Sequence, residues 1–135
     1  MVTGVQTCAL PICTDACGNS PKNVFVATFE ENLFNGDKEA LAEVVADDCV
    51  LQIVHPSDVE THTGREAVVE ALLKLSSQAP EVGHLEAAIT HGKAAAAWGY
   101  WQAEADGDDL RHFSHTMWFT THKAQDFGQI RIFQV

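Results

Sequence analysis

Seven histidines in 135 residues make imidazole the most abundant group here that can move a proton near neutral pH. Two stand apart from the rest by their neighbours. His55 directly follows the β-rich run "CVLQIV" and stands immediately before Pro56. His115 lies in "LRHFSHTMWFTTH", where Phe113, His115, Met117 and Phe119 fall on one side of a strand and form a row that is apolar except for the imidazole. An imidazole in such a row would meet a ligand away from water and could donate a hydrogen bond to a carbonyl.

Metal chemistry finds less support. His112 and His115 have an H-x-x-H spacing, but an odd offset on a strand sends them to opposite faces, so they cannot chelate together. His62, His84, His91 and His122 fall near turns. Asp106, Asp108 and Asp109 resemble part of a calcium loop, but the twelve-residue frame with its closing Glu is missing. Cys8, Cys13 and Cys17 fit no common zinc spacing, and Cys49 reads as an isolated buried thiol. No metal and no cofactor is expected.

The elements that must position these groups follow from periodicity. Ser20-Pro21 starts a helix whose Phe25, Phe29 and Leu33 recur every four residues, and Asn35-Gly36 stops it. Asp37 caps a second, short helix. "CVLQIV" is a strand with "VETH" as its continuation, and Thr63 with Glu66 has capping-box spacing for a third helix that ends before Pro80. Beyond it the period becomes two: Leu85, Ala87 and Ile89, then "AAAAWGYWQAE", then His115's strand, then "QIRIFQV", joined by turns at 91–93, at "ADGDD" and through Gly128. The expected fold class is α+β, a curved antiparallel sheet wrapped over three N-terminal helices. Trp118, on the row opposite His115, and Trp98, opposite Trp101, put large aromatics on the outer face. This predicts a homodimer packed sheet against sheet.

Composition sets the outer bounds. One domain is expected over 20–135, and 46% hydrophobic with 20% charged residues is ordinary for a globular chain. A net charge of −11, from 19 acidic against 8 basic residues, argues against a phosphate-backbone partner, so no nucleic acid is expected. No apolar run reaches the roughly 20 residues of a membrane span. The sparse cysteines fit a cytoplasmic setting. Residues 1–19 read as an artefactual or disordered leader. "VTGVQTCALPI" resembles the in-frame translation of a sequencing adapter, a scar of metagenomic assembly, and its short apolar run broken by Pro11 is no secretory signal.

The strings "NGDKEALAEVVADDCV", "HTGREAVVEALL" and "FGQIRIFQV", in this order and spacing, resemble the SnoaL-like and ketosteroid-isomerase-like superfamily, which has the cone-shaped fold of nuclear transport factor 2. The likeness covers about Pro21 to Val135. It implies an open cone end that holds a small, largely apolar molecule. In family members that are ketosteroid isomerases, a carboxylate base precedes a Pro, an acid stands on a late strand, and a first-helix Tyr binds the oxyanion. Carried over by position, these fall on His55, His115 and Phe29. Both acids are therefore His and the hydroxyl is absent, which argues against steroid isomerisation. The Arg-x-Asp signature of limonene-epoxide-hydrolase relatives is also missing from "AAAWGYWQ".

Two function classes follow. One is a His-based isomerase, cyclase or hydratase for a small apolar carbonyl compound. Its catalytic residues would be His55 and His115, and its ligand contacts Phe29, Trp98, Tyr100, Gln102, Phe113, Met117 and Phe119. The other is a non-catalytic ligand-binding or dimerisation module on the same fold.

Overall fold

Caps at Ser20 and Asp37, and glycines at Gly36, Gly64 and Gly92, mark where packed elements begin or end. The computed structural model describes residues 20–78, 82–102, 110–123 and 125–134. The 1–19 leader, Pro80, the whole "ADGDD" turn and Val135 lie outside these residues. Helix α1 (Pro21–Asn35) begins where the Ser20 hydroxyl accepts a hydrogen bond from the Asn23 N–H at 3.2 Å, with Pro21 in the first turn. Helix α2 (Lys38–Val44) is capped by Asp37, which accepts from the Ala40 N–H at 3.2 Å. Helix α3 (Arg65–Gln78) starts one residue later than the capping box predicts. Thr63 is still in a strand, and the Gly64 carbonyl accepts the first helical bond, from the Val68 N–H at 2.9 Å.

Six strands form one sheet: β1 (Val45–Val54), β2 (Val59–Thr63), β3 (Val82–His91), β4 (Ala94–Gln102), β5 (Leu110–Phe119) and β6 (Phe127–Gln134), in the order β2-β1-β6-β5-β4-β3. The expected four-strand meander is β3 to β6, and its last strand pairs in parallel with β1. All other pairs are antiparallel. "VETH" is not a continuation of β1 but a separate edge strand folded back on it, with Val54 opposite Val59. Gly128 does not make the last turn, because β6 already begins at Phe127.

The three helices cover one face of the sheet, α1 over β3 and β4, and α3 over β1 and β2. Between them lies a core of Val26, Phe29, Leu33, Leu41, Leu51, Leu72, Phe119, Phe127, Ile130 and Ile132, all at most 2% exposed. Phe29 meets Phe127 edge-on at 5.0 Å, and Phe119 stacks on Phe127 at 4.9 Å. The sheet bends at a bulge, where the β3–β4 register slips between Leu85 and Ala87. One extra residue in β3 reverses the alternation beyond it, so Ala88 faces the helices and Ile89, expected on the inner row, is 44% exposed. Gly99 sits opposite Leu85 because the backbones nearly touch there: a Cβ at this position would lie 2.0 Å from the His84 carbonyl oxygen.

Candidate functional site

One ion-pairing couple is sealed in the hydrocarbon under the sheet. Helix α1 carries its carboxylate, because Glu30 falls four residues after Val26 and four before Phe34, on the stripe that faces the strands. Strand β5 carries the imidazole. Both carboxylate oxygens of Glu30 lie 2.9 Å from His115 Nδ1, and the two residues are 0% and 1% exposed. An ionised carboxylate only accepts, so with Glu30 ionised the Nδ1 of His115 carries the proton and Nε2 is the nitrogen available for acid–base work.

A chain of rings leads away from this couple. Phe113 stacks on His115 with centroids 4.6 Å apart, and Trp101 follows at 6.0 Å from Phe113. The half-buried Phe34, from the last turn of α1, closes over both, edge-on to Trp101 at 4.7 Å and to Phe113 at 5.8 Å. Trp101 is 6% exposed, and its indole nitrogen has no hydrogen-bond partner among the described residues.

A second imidazole cluster stands at the β1–β2 hairpin. Glu60 accepts from His62 Nε2 at 2.6 Å and lies 3.4 Å from His55 Nε2, and all three are solvent-accessible. Hydrogen bonds, first from His62 and then from His55, hold the Glu60 carboxyl below its ordinary value. Among the described residues, no group of three His, Cys, Asp or Glu is arranged to hold a metal ion.

The two expected catalytic histidines therefore have separate carboxylates. Register places Ile53, Ile132 and His115 in one row across β1, β6 and β5, with His55 two residues beyond Ile53. At strand spacings this puts the His55 and His115 Cα atoms roughly 12 Å apart. Ile53 and Ile132, 3% and 0% exposed, occupy the row between them.

The expected ligand contacts divide between the two faces. Phe113, Met117 and Phe119 share the helix-covered face with His115, and Phe29 packs against it from α1. Trp98, Tyr100 and Gln102 do not join them. They alternate with the buried Ala97, Gly99 and Trp101 and so lie on the outer face, where Tyr100 stacks on His84 at 4.7 Å. Sequence reasoning missed Glu30, Glu60 and Trp101. A signal for Glu30 was present, since a carboxylate between Val26 and Phe34 interrupts a stripe with helical spacing.

The grooves lie elsewhere. One of about 500 Å³ lies on the outer face, between Ile89, Ala94, Ala96, Trp118, Gln129 and Arg131. Trp118 and Trp98 are 53% and 40% exposed there. A second hollow of about 850 Å³ lies where α2 meets the start of α3, beside the Arg65–Asp47 ion pair at 2.8 Å. Neither is lined by Glu30, His115 or Trp101.

The sequence matches no protein-family model and no curated protein. Solved structures do match. A nuclear transport factor 2-like protein of unknown function from Mesorhizobium loti superposes with a TM-score of 0.66 at 18% identity, over 89% of this chain and 98% of that one. A protein from Shewanella denitrificans, provisionally named a SnoaL-like polyketide cyclase, gives 0.66 at 13% identity, over 87% and 92%. A protein from Kribbella flavida, provisionally named a ketosteroid isomerase, gives 0.64 at 16% identity, over 84% and 77%. The chain thus has the nuclear transport factor 2-like fold that its sequence resembles. At these identities the likeness is one of fold.

Proposed function

We propose that the helix-covered face of the sheet binds a small, largely apolar carbonyl compound, and that the Glu30–His115 couple performs acid–base chemistry on it. The reaction class is isomerisation, aldol-type cyclisation or hydration. In the simplest case His115 Nε2 takes a proton from the carbon next to the carbonyl and returns it to a different position, while Glu30 holds the ring through Nδ1. The observation that carries this reading is the complete burial of an acid–base pair in a hydrocarbon core. Such a pair gains little stability over packed apolar side chains, and groups of this kind concentrate at functional sites. An apolar ligand entering this face would pack against the row of rings from His115 to Trp101. His55, expected as the partner base, is held by Glu60 at the rim and would reach only a ligand long enough to span both positions.

Solvent exchange tests the proposal. In D2O, the protein should speed loss of the α-proton from a panel of cyclic and aryl ketones, and Glu30→Gln and His115→Gln should each abolish the effect. Exchange that survives in both variants overturns it.

The outer face favours a second reading, a binding or dimerisation module. Its exposed Ile89, Trp98 and Trp118 form an apolar surface that a second copy would cover, sheet against sheet. Sedimentation should then show a dimer that Trp118→Lys converts to monomer. An unchanged species would remove this reading. No helix among the described residues is long and apolar enough to cross a membrane, and a buried free thiol at Cys49 supports a reducing, cytoplasmic setting.

A further inference from the structure

Trp101 has a feature that packing does not require. Its ring is enclosed by Phe34 and Phe113, and a Phe ring would serve such an enclosure equally well. Instead it brings an N–H that is buried and has no acceptor among the described residues. Buried donors of this kind are rare, because the hydrogen bond once made to water is lost without replacement. The surroundings hold the ring in place. Gly83 faces Trp101 across the β3–β4 ladder, and a Cβ there would lie 2.9 Å from the Phe34 ring, so the glycine lets Phe34 lie against the sheet and fix Trp101 edge-on.

We infer that Trp101 Nε1 is the hydrogen-bond donor that selects the oxygen of the bound compound, and so determines specificity for an uncharged ligand with one acceptor on an apolar frame. This rests on the reading of the helix-covered face as the ligand site. The ring ladder supplies apolar contacts, and the indole supplies the one polar contact at its far end from Glu30–His115. An oxygen bound there satisfies the orphan donor. A hydrocarbon of the same shape leaves it unsatisfied, and that asymmetry is what makes a buried donor discriminate. The chain's net charge of −11 disfavours an anion in that place.

The test uses two probes of nearly equal shape, 2-acetylnaphthalene and 2-isopropenylnaphthalene, which differ in a carbonyl against a methylene. Proton–nitrogen correlation spectra report the three indole N–H groups. Trp98→Phe and Trp118→Phe, at exposed outer positions, assign Trp101 by elimination without disturbing the core. The ketone should move the Trp101 indole signal and bind about tenfold more tightly than the alkene. The alkene should move the His115 ring signals but not that indole. Trp101→Phe, if folded, should bind both probes alike. A ketone that shifts His115 and leaves the Trp101 indole unmoved overturns the donor assignment alone, as does equal affinity for the two probes in the wild type. Failure of both probes to shift either residue overturns the ligand-site reading and this inference together.

Discussion

Replacing Glu30 and His115 separately and together measures how the buried couple is held. With donor and acceptors 2.9 Å apart, the hydrogen bond from a neutral His115 to the Glu30 carboxylate contributes about 1.5–3 kcal/mol. Removing the carboxylate from water costs several kcal/mol. The two terms nearly cancel, so the couple adds little net stability, yet each member depends on the other. His115→Leu strands a carboxylate that is 0% exposed, and Glu30→Met strands an imidazole that is 1% exposed. Each single variant should lose roughly 3–5 kcal/mol, while the double variant should fall within about 1 kcal/mol of the wild type or exceed it. Against a total stability of about 5–15 kcal/mol, the singles remain measurable by urea unfolding, and the cycle should return a coupling of about 3 kcal/mol or more. Additive losses, with the double variant the least stable of the four, would refute the claim that the two side chains form one buried unit.

Two further outcomes follow from the packing. Cys49 is fully buried, and burial first, then the Asp48 and Asp126 carboxylates, pushes its thiol up to about 12. A maleimide should leave Cys49 unlabelled at pH 8 until the protein unfolds. Above pH 9 the unfolded chain ionises this thiol and the folded one does not, so stability should fall as pH rises, by about 1.4 kcal/mol per unit. Cys49→Ala should flatten that slope, and an unchanged slope would contradict the assignment. Gly99→Ala drives a methyl into the His84 carbonyl and should cost about 1–3 kcal/mol or more in urea unfolding; a neutral effect would mean that the bulge is not the constraint described.

Much of the architecture can be read from local chemistry. Ser20, Pro21 and Asp37 start their helices as their side chains dictate, and the row Phe113–His115–Met117–Phe119 faces the helices because a strand alternates strictly. The failures occur where tertiary contacts override such rules. Ile89 turns outward because one extra residue in β3 shifts the alternation, and nothing in "LEAAIT" alone marks the bulge. The segment "VETH" was legible as strand but not as a separate edge strand, since only its antiparallel pairing with β1 sets it apart. In the site, His115 was legible as a polar break in an apolar row. Its partner left only a faint trace, Glu30 interrupting the stripe between Val26 and Phe34, and the pairing itself was not legible, since the two residues lie 85 positions apart. The resemblance aligned His55 with His115, but spacing along a chain carries no distance across a sheet, and the strands between them hold Ile53 and Ile132.

A crystal structure with 2-acetylnaphthalene bound addresses the central claim most directly. The ligand should lie against Phe113 on the helix-covered face, with its oxygen on Trp101 Nε1 and its ring frame extending along Phe113 toward His115. Ligand found only in the outer groove beside Trp118, with the Glu30–His115 couple still sealed in hydrocarbon, would contradict the account.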